Sequence, residues 1–328
     1  MKMSSLGDVI HTLPALTDAA AALPGINFDW VVEEAFAEIP RWHRAVDRVI
    51  PVALRRWRKR PLRDFTGPEW RRARQSLGDR KYDAVIDAQG LLKSAFISRL
   101  VRAPRYGMDK ATARERLAAL AYDHPVYVAK DMHAVERTRL LFARALDYRL
   151  PEEPGDYSVA ETLAVEGVKR IPGLLFFHGS ARQEKLWPED QWVELAGLAE
   201  QAGYRIWLPW GNEEEQQRAV RIAGRVSAAQ VLPRQTLGEL ATMLQTVSGV
   251  VAIDTGLGHL SAALAVPAVS LYGPTSIRLV GTYGRNQVHL PSPLFGSVVT
   301  GAAALMQAIT PAAVWQSLQA AIAGREEP

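Results

Sequence analysis

Short apolar runs alternate with longer amphipathic stretches along most of this sequence, and that alternation admits few folds. In the second half, Leu174–Phe177, Arg205–Leu208, Gln230–Leu232, Val250–Ile253 and Ala268–Leu271 read as buried strands. Between them, Glu189–Ala202, Glu213–Ala223, Leu237–Val247 and Leu257–Leu264 read as helices. Pro188 stands near a helix start with Glu189 and Asp190 in the first turn, and Gly203 suits the other end. Strands that alternate with helices form parallel sheets, because each crossover must return along a face of the sheet. The first half repeats the theme, with strands predicted at Phe28–Val32, Val49–Val52 and Ala84–Asp87 and helices at Val9–Ala22, Leu92–Val101 and Ala134–Leu146. Ser4–Asp8 reads as a strand-to-helix loop, so a strand of about five residues is expected before it. That first strand is missing from the pattern.

A chain of 328 residues is long for one core, so two domains are expected. Leu150–Asp156, with its Pro, Glu and Gly, is the linker candidate. It divides residues 1–155 from residues 156–328. The fold class predicted is α/β, two βαβ domains that face each other across a ligand-binding cleft at the carboxyl ends of their strands. No run of about eighteen apolar residues and no signal-peptide core occurs, so a cytoplasmic location is expected. Zero cysteines exclude disulfides, thiolate metal sites and cysteine nucleophiles. Net charge is only +4, but Arg41 to Lys81 holds fourteen Lys/Arg against four Asp/Glu. That segment predicts an anionic partner.

Asp254-Thr255-Gly256-Leu257-Gly258-His259 follows an apolar run, and a strand that turns through glycine into a helix presents backbone N–H groups and a positive dipole end. It can cradle a diphosphate, with Thr255 and His259 facing the same anion; equally, Asp254 can be only an N-cap and His259 only a packing residue. Lys185, in the loop His178–Trp187, can neutralise a leaving diphosphate with Ser180 beside it, or be merely solvated. Glu215 can accept from ribose hydroxyls or sit exposed among Glu213 and Glu214. Asp8 can act as a general base, as an N-cap, or as both. Arg55-Arg56-Trp57-Arg58-Lys59-Arg60 suits phosphates and carboxylates, with Trp57 stacking on a ring or resting on lipid. Its alternative is a solvated helix face. Arg114 and His133 carry little meaning alone. No carboxylate cluster has convincing metal spacing, so neither a metal nor another cofactor is expected.

Longer ordered stretches carry a resemblance. Ser4-Ser5-Leu6-Gly7-Asp8-Val9-Ile10-His11-Thr12-Leu13-Pro14-Ala15, Phe28-Asp29-Trp30-Val31-Val32-Glu33-Glu34, Arg55-Arg56-Trp57-Arg58-Lys59, Asp87-Ala88-Gln89-Gly90-Leu91, His133-Ala134-Val135-Glu136-Arg137, Lys185 with Trp187-Pro188, and Asp254-Thr255-Gly256-Leu257 with His259 resemble the lipopolysaccharide heptosyltransferases of glycosyltransferase family 9. The first loop is worded as in type I rather than type II. The resemblance runs from Lys2 to about Gln287 and implies a GT-B architecture of two Rossmann-like domains, the first binding acceptor and the second binding donor. It implies inverting transfer of heptose from ADP-L-glycero-D-manno-heptose to Kdo of Kdo2-lipid A. Carried onto this sequence, Asp8 is the base and Lys185 assists catalysis. Ser180, Lys185, Glu215, Asp254, Thr255, Gly256, Leu257 and His259 bind donor, while Ser4, Ser5, Arg55, Arg58, Lys59, Arg114 and His133 face acceptor. A lipid acceptor implies peripheral attachment to the cytoplasmic face of the inner membrane, for which Arg55 to Arg63 is the expected surface. Another acceptor within the family and a non-catalytic sugar-nucleotide-binding protein stand as alternatives. Nucleic acid is not expected as a partner, since no recognised module accompanies the basic run.

Overall fold

The computed structural model describes residues 1–64, 66–164, 171–296 and 301–325, with backbone alone for Pro61 and Leu62. The chain separates into two compact units, Met1–Thr162 and Leu163–Pro328. Each is an α/β unit with parallel strands.

In the first unit, β1 (Phe28–Glu33) pairs in parallel with β2 (Val46–Val52). Separately, β3 (Val85–Asp87), β4 (Arg105–Met108) and β5 (His124–Val126) form a second parallel set in that order. No strand is assigned to residues 1–5, but Met1–Met3 bridge the two sets. The Met1 backbone donates to Ile86 O and accepts from Ala88 N, while Met3 O accepts from Glu33 N. Three residues thus hold the place of the central strand that the sequence pattern lacked. Met3 is fully buried in an apolar core with Val31, Ile50, Trp57, Trp70 and Ile97. Beyond Met1, a cavity of about 300 Å³ lies between β1 and β3, with Phe28, Val31, Val85 and Ile86 in its lining.

The expected helix Val9–Ala22 is two helices, Leu6–Ile10 and Leu13–Ala22. Proline cannot supply an amide hydrogen deep in a helix, so the second helix starts late and holds Pro14 in its first turn. The segment read as a linker is part of the first unit. Arg139, only 2% exposed, reaches it from the helix Ala134–Ala145 and donates to Glu153 O at 2.9 Å. The same guanidinium pairs with Asp18 at 2.7 Å and Glu136 at 3.0 Å, so a buried charge network ties three segments together.

In the second unit, six parallel strands run in the order β11-β10-β9-β6-β7-β8. They are β6 (Ile171–Phe177), β7 (Arg205–Leu208), β8 (Ala229–Val231), β9 (Val247–Ile253), β10 (Ala268–Tyr272) and β11 (Gln287–Pro291). The helices Glu189–Gln201, Glu213–Ala223, Leu237–Thr246 and Gly256–Ala263 lie within a residue or so of the stretches read from sequence. Every residue of β10 is buried, as a strand covered on both faces requires. The chain begins at the sheet centre, moves outward to β8, returns to β9 beside β6, and moves outward on the other side. That reversal leaves a crevice beyond the carboxyl ends of β6 and β9. Sequence periodicity missed β4, β5, β11 and the helices Pro68–Gly78 and Pro311–Ala323. β4 and β5 are only four and three residues long and have no apolar run, while the last helix is Ala-rich with few large residues to mark a stripe.

Removing one partner of a buried ion pair leaves an uncompensated charge, at a cost of about 3–5 kcal/mol. We expect Asp18→Ala to cost close to the lower figure, since Glu136 remains. The Asp18→Ala/Arg139→Met double variant should recover part of that loss. Urea unfolding of both variants checks the expectation.

Candidate active site

In the second unit, several of the candidate side chains gather where β6 and β9 end. The loop after β6 closes in a short helical turn, Gln183–Lys185, and the Lys185 Nζ lies 2.5 Å from an Asp254 carboxylate oxygen at the end of β9. Both are largely buried, at 14% and 8% side-chain exposure, so the ammonium is held in a fixed position rather than solvated. Thr255, not Asp254, is the N-cap of the helix Gly256–Ala263, and its hydroxyl makes no cap hydrogen bond. Asp254 is thereby released from capping to orient the lysine. Thr255, Gly256 and Leu257 are part-exposed at the helix start, where first-turn N–H groups lack partners within the helix. His259 is buried one turn further on.

Glu215 is a half-buried residue in the first turn of its helix. Asn212 caps the helix Glu213–Ala223 by accepting from Glu215 N, and the Glu215 carboxylate turns back to accept from Gly211 N at 2.7 Å. It lies against Gly179, where an added Cβ would come 2.5 Å from the carboxyl carbon. A side chain there would push the Glu215 carboxylate aside. Ser180 lies in the same loop and its Oγ accepts from Arg182 N. The structure therefore gathers Ser180, Lys185, Glu215, Asp254 and the Thr255–Leu257 turn on the loops after β6, β7 and β9.

The first unit is built the same way, with Met1–Met3 in the central position. The next turn, Ser4-Ser5, leads into the helix Leu6–Ile10, whose N-cap is Ser5. Asp8 is the third helical residue and accepts from both the Ser5 backbone N–H and the Ser5 hydroxyl at 2.9 Å. Its other oxygen faces Lys2 Nζ at 3.5 Å, and Arg114 approaches to 3.9 Å. Burial pushes the Asp8 carboxyl up, but Lys2, the Ser5 amide, Arg114 and the Ser5 hydroxyl outweigh it and hold the group below the usual carboxylate range. At neutral pH it is an anion surrounded by donors.

The β3 end positions this loop. Buried Gln89 accepts through its side-chain oxygen from Met3 N at 2.9 Å and Ser4 N at 3.0 Å. Asp87 in turn accepts from Gln89 N and from Tyr122 OH. Gly90 adopts φ +65°, a left-handed turn that suits glycine, and its carbonyl accepts from Glu115 N beside Arg114. Lys93 donates to Ser4 Oγ at 3.3 Å, and Arg55 and Arg58 act on its charge. Burial chiefly lowers the Lys93 pKa. His133 caps the helix Ala134–Ala145 and packs edge-on against His11, three residues after Asp8. Hydrogen bonds and ion pairs thus tie Ser5 and Arg114 to Asp8 and Lys93 to Ser4, while Arg55 and Arg58 reach Lys93 through charge alone and His133 touches this segment through His11. Lys59 lies with Arg56, Arg60 and Arg63 around a separate shallow hollow.

Sequence reasoning missed Lys2, Lys93 and Gln89. The signal available was the Asp87-Ala88-Gln89-Gly90 turn directly after an apolar strand. It misread Trp57, which is 2% exposed, packs edge-on against Trp70 and donates to Glu69. Trp57 therefore stacks on no ligand ring and rests on no lipid, because it fills the core beneath the basic run. Nor is the basic segment uniformly open, since Arg56 pairs with Glu34 and Glu69, and Arg48 with Asp29 and Asp79.

Residues 70–296 match glycosyltransferase family 9 (heptosyltransferase). The chain is 55% identical over 293 residues to lipopolysaccharide heptosyltransferase 1 of Pseudomonas aeruginosa, covering 89% of this chain and 82% of that one. It resembles the E. coli heptosyltransferase WaaC solved with ADP, at TM-score 0.90 and 47% identity over 98% of each chain. The same heptosyltransferase solved with ADP-2-deoxy-2-fluoro heptose aligns at TM-score 0.85 and 46% identity, covering 97% and 98%.

Lys2 and Asp8 make a direct test of the electrostatics. Lys2→Met removes the largest lowering influence while burial remains, so the Asp8 carboxyl should titrate at higher pH than in the parent. Carboxyl-carbon NMR across an acid titration reads the shift. An unmoved titration would sink the assignment of the low value to this pair.

Proposed function

This chain belongs to glycosyltransferase family 9, and from that membership we propose the acceptor and mechanism of its reaction. It is a heptosyltransferase of lipopolysaccharide core biosynthesis that draws on a sugar-nucleotide donor. The proposed reaction moves heptose from ADP-L-glycero-D-manno-heptose to a Kdo hydroxyl of Kdo2-lipid A, with inversion at the anomeric carbon. The observation that carries this reading is the ionised Asp8 carboxylate, held by Ser5 and ringed by Lys2 and Arg114. A base surrounded by cations suits an acceptor that itself carries carboxylates and phosphates.

In this mechanism Asp8 removes the proton from the attacking hydroxyl as the oxygen bonds to the anomeric carbon. A depressed pKa makes it a weak base. That is sufficient where bond breaking to the leaving group runs ahead and the sugar has oxocarbenium character, because the hydroxyl becomes acidic as it bonds. The ADP leaving group gathers negative charge on its diphosphate. Lys185 and the N–H groups at Thr255–Leu257 are the donors for that charge, and Asp254 keeps the lysine aimed without a rearrangement during the reaction. Ser180 supplies a further hydroxyl donor, Glu215 accepts from ribose hydroxyls, and Gly179 leaves room for that carboxylate. Arg55, Arg58, Arg114 and His133, with Lys59 further out, face the acceptor. A lipid acceptor would hold the enzyme at the cytoplasmic face of the inner membrane. Among the described residues no helix is long and apolar enough to cross a membrane.

Purified protein should transfer heptose from ADP-heptose to Kdo2-lipid A. Asp8→Asn should lower kcat by about 10²–10⁴-fold with ADP affinity retained. Lys185→Met should weaken ADP binding and lower kcat together. Near-parent turnover by a folded Asp8→Asn protein would remove Asp8 from the mechanism. Turnover only with a different acceptor would keep the family and replace the substrate, and ADP-heptose binding without transfer would point to a non-catalytic protein.

A further inference from the structure

We propose that the outer face formed by the helix Leu92–Ser98 and the 3₁₀ turn Arg116–Ala121 is a docking surface for an anionic lipid bilayer. The proposal rests on the reading that the acceptor is a lipid. Nine large apolar side chains are exposed among the described residues, and four of them lie on these two packed elements: Leu92 at 50%, Phe96 at 54%, Leu117 at 60% and Leu120 at 73%. They are exposed for a structural reason. Ala95 packs against Ala118, Ala119 and Tyr122, so small residues fill the seam between the two elements and the flanking leucines and Phe96 are left outside it. The seam is fixed in place, since Glu115 accepts from Leu92 N and donates its own N–H to Gly90 O. Phe96 is held by stacking on Trp70, at 6.3 Å between ring centroids. The two elements that carry the face are therefore joined to each other.

Charge identifies the occupant. Arg99 at the C-cap of the helix and Arg116 at the head of the 3₁₀ turn are exposed beside the apolar side chains. Glu115, the acid at this face, already accepts from a backbone N–H. An apolar centre with cations at its edge matches a bilayer interface carrying anionic head groups, where leucine and phenylalanine enter the acyl boundary and arginines stay with phosphates. A second copy of the chain fits less well, because a two-fold contact would set this arginine-edged face against itself. Lys93, next to Leu92, reaches Ser4 in the Asp8 loop, so a bilayer at this face would lie beside the acceptor neighbourhood.

The test uses the full chain and sucrose-loaded vesicles of phosphatidylethanolamine with phosphatidylglycerol, against vesicles of phosphatidylcholine alone. The parent should co-sediment with the anionic vesicles. Leu117→Ser/Leu120→Ser should lower its partition by about tenfold or more. Transfer of heptose to an acceptor without acyl chains should be unchanged in that variant, which shows it is folded. Equal partition of parent and variant would overturn the proposal. So would a parent that is dimeric by analytical ultracentrifugation and becomes monomeric in the variant, since the face would then belong to a second copy. A parent that binds vesicles through these leucines yet transfers no heptose would leave the docking surface standing and remove the reaction proposed above.

Discussion

The pairing of β6 with β9 governs the chemistry of the second unit. Parallel hydrogen bonding from Leu174 opposite Gly249 to Phe177 opposite Ala252 brings two strand ends side by side. Lys185 and Asp254 are 69 residues apart in sequence, and they meet because the loops after those strands have nowhere else to turn. Two helical crossovers leave the sheet in opposite directions at this point, and the opening between them is the general site of ligand binding in such sheets. A buried carboxylate that fixes a buried ammonium gives the proposed diphosphate site a preorganised cation.

The first unit reaches the same arrangement with less. Met1–Met3 make hydrogen bonds toward β1 on one side and toward β3 on the other, and these join two small parallel sets. The Ser4–Asp8 turn therefore leaves from the sheet centre, as the loop after β6 does in the other unit. Gln89 holds two successive amides of that turn, and Ser5 then holds Asp8. The chain of support from Tyr122 through Asp87 and Gln89 to Ser4 places a carboxylate that also accepts the N-cap amide of its own helix. Donors around it overcome the effect of burial, so the group is charged.

The surface follows from these constraints as much as the interior does. The basic run around Arg55 contributes less open charge than its composition promises, because Glu34 and Glu69 neutralise Arg56 and Trp57 turns inward. Exposed apolar surface is instead concentrated where alanines close a helix seam.

Much of the second unit was legible in the sequence. Buried parallel strands are continuous apolar runs, and helices packed on them keep an apolar stripe, so β7, β10 and the helix Glu213–Ala223 announce themselves. The glycine-containing turn after β9 and the lysine after β6 could be singled out as candidate ligand positions, since a helix start offers free donors, but a plain N-cap and a solvated lysine stood as alternatives. Sequence could not show that Lys185 pairs with Asp254, that Glu215 folds back on Gly179, or that Gln89 holds the Ser4 turn, because each depends on which strand lies beside which. Nor could it separate Arg56, neutralised by acids 22 and 13 residues away, from its neighbours in the same run. Local periodicity reports what one element buries. Partners, protonation and exposure are set by strand order, which is a property of the whole unit.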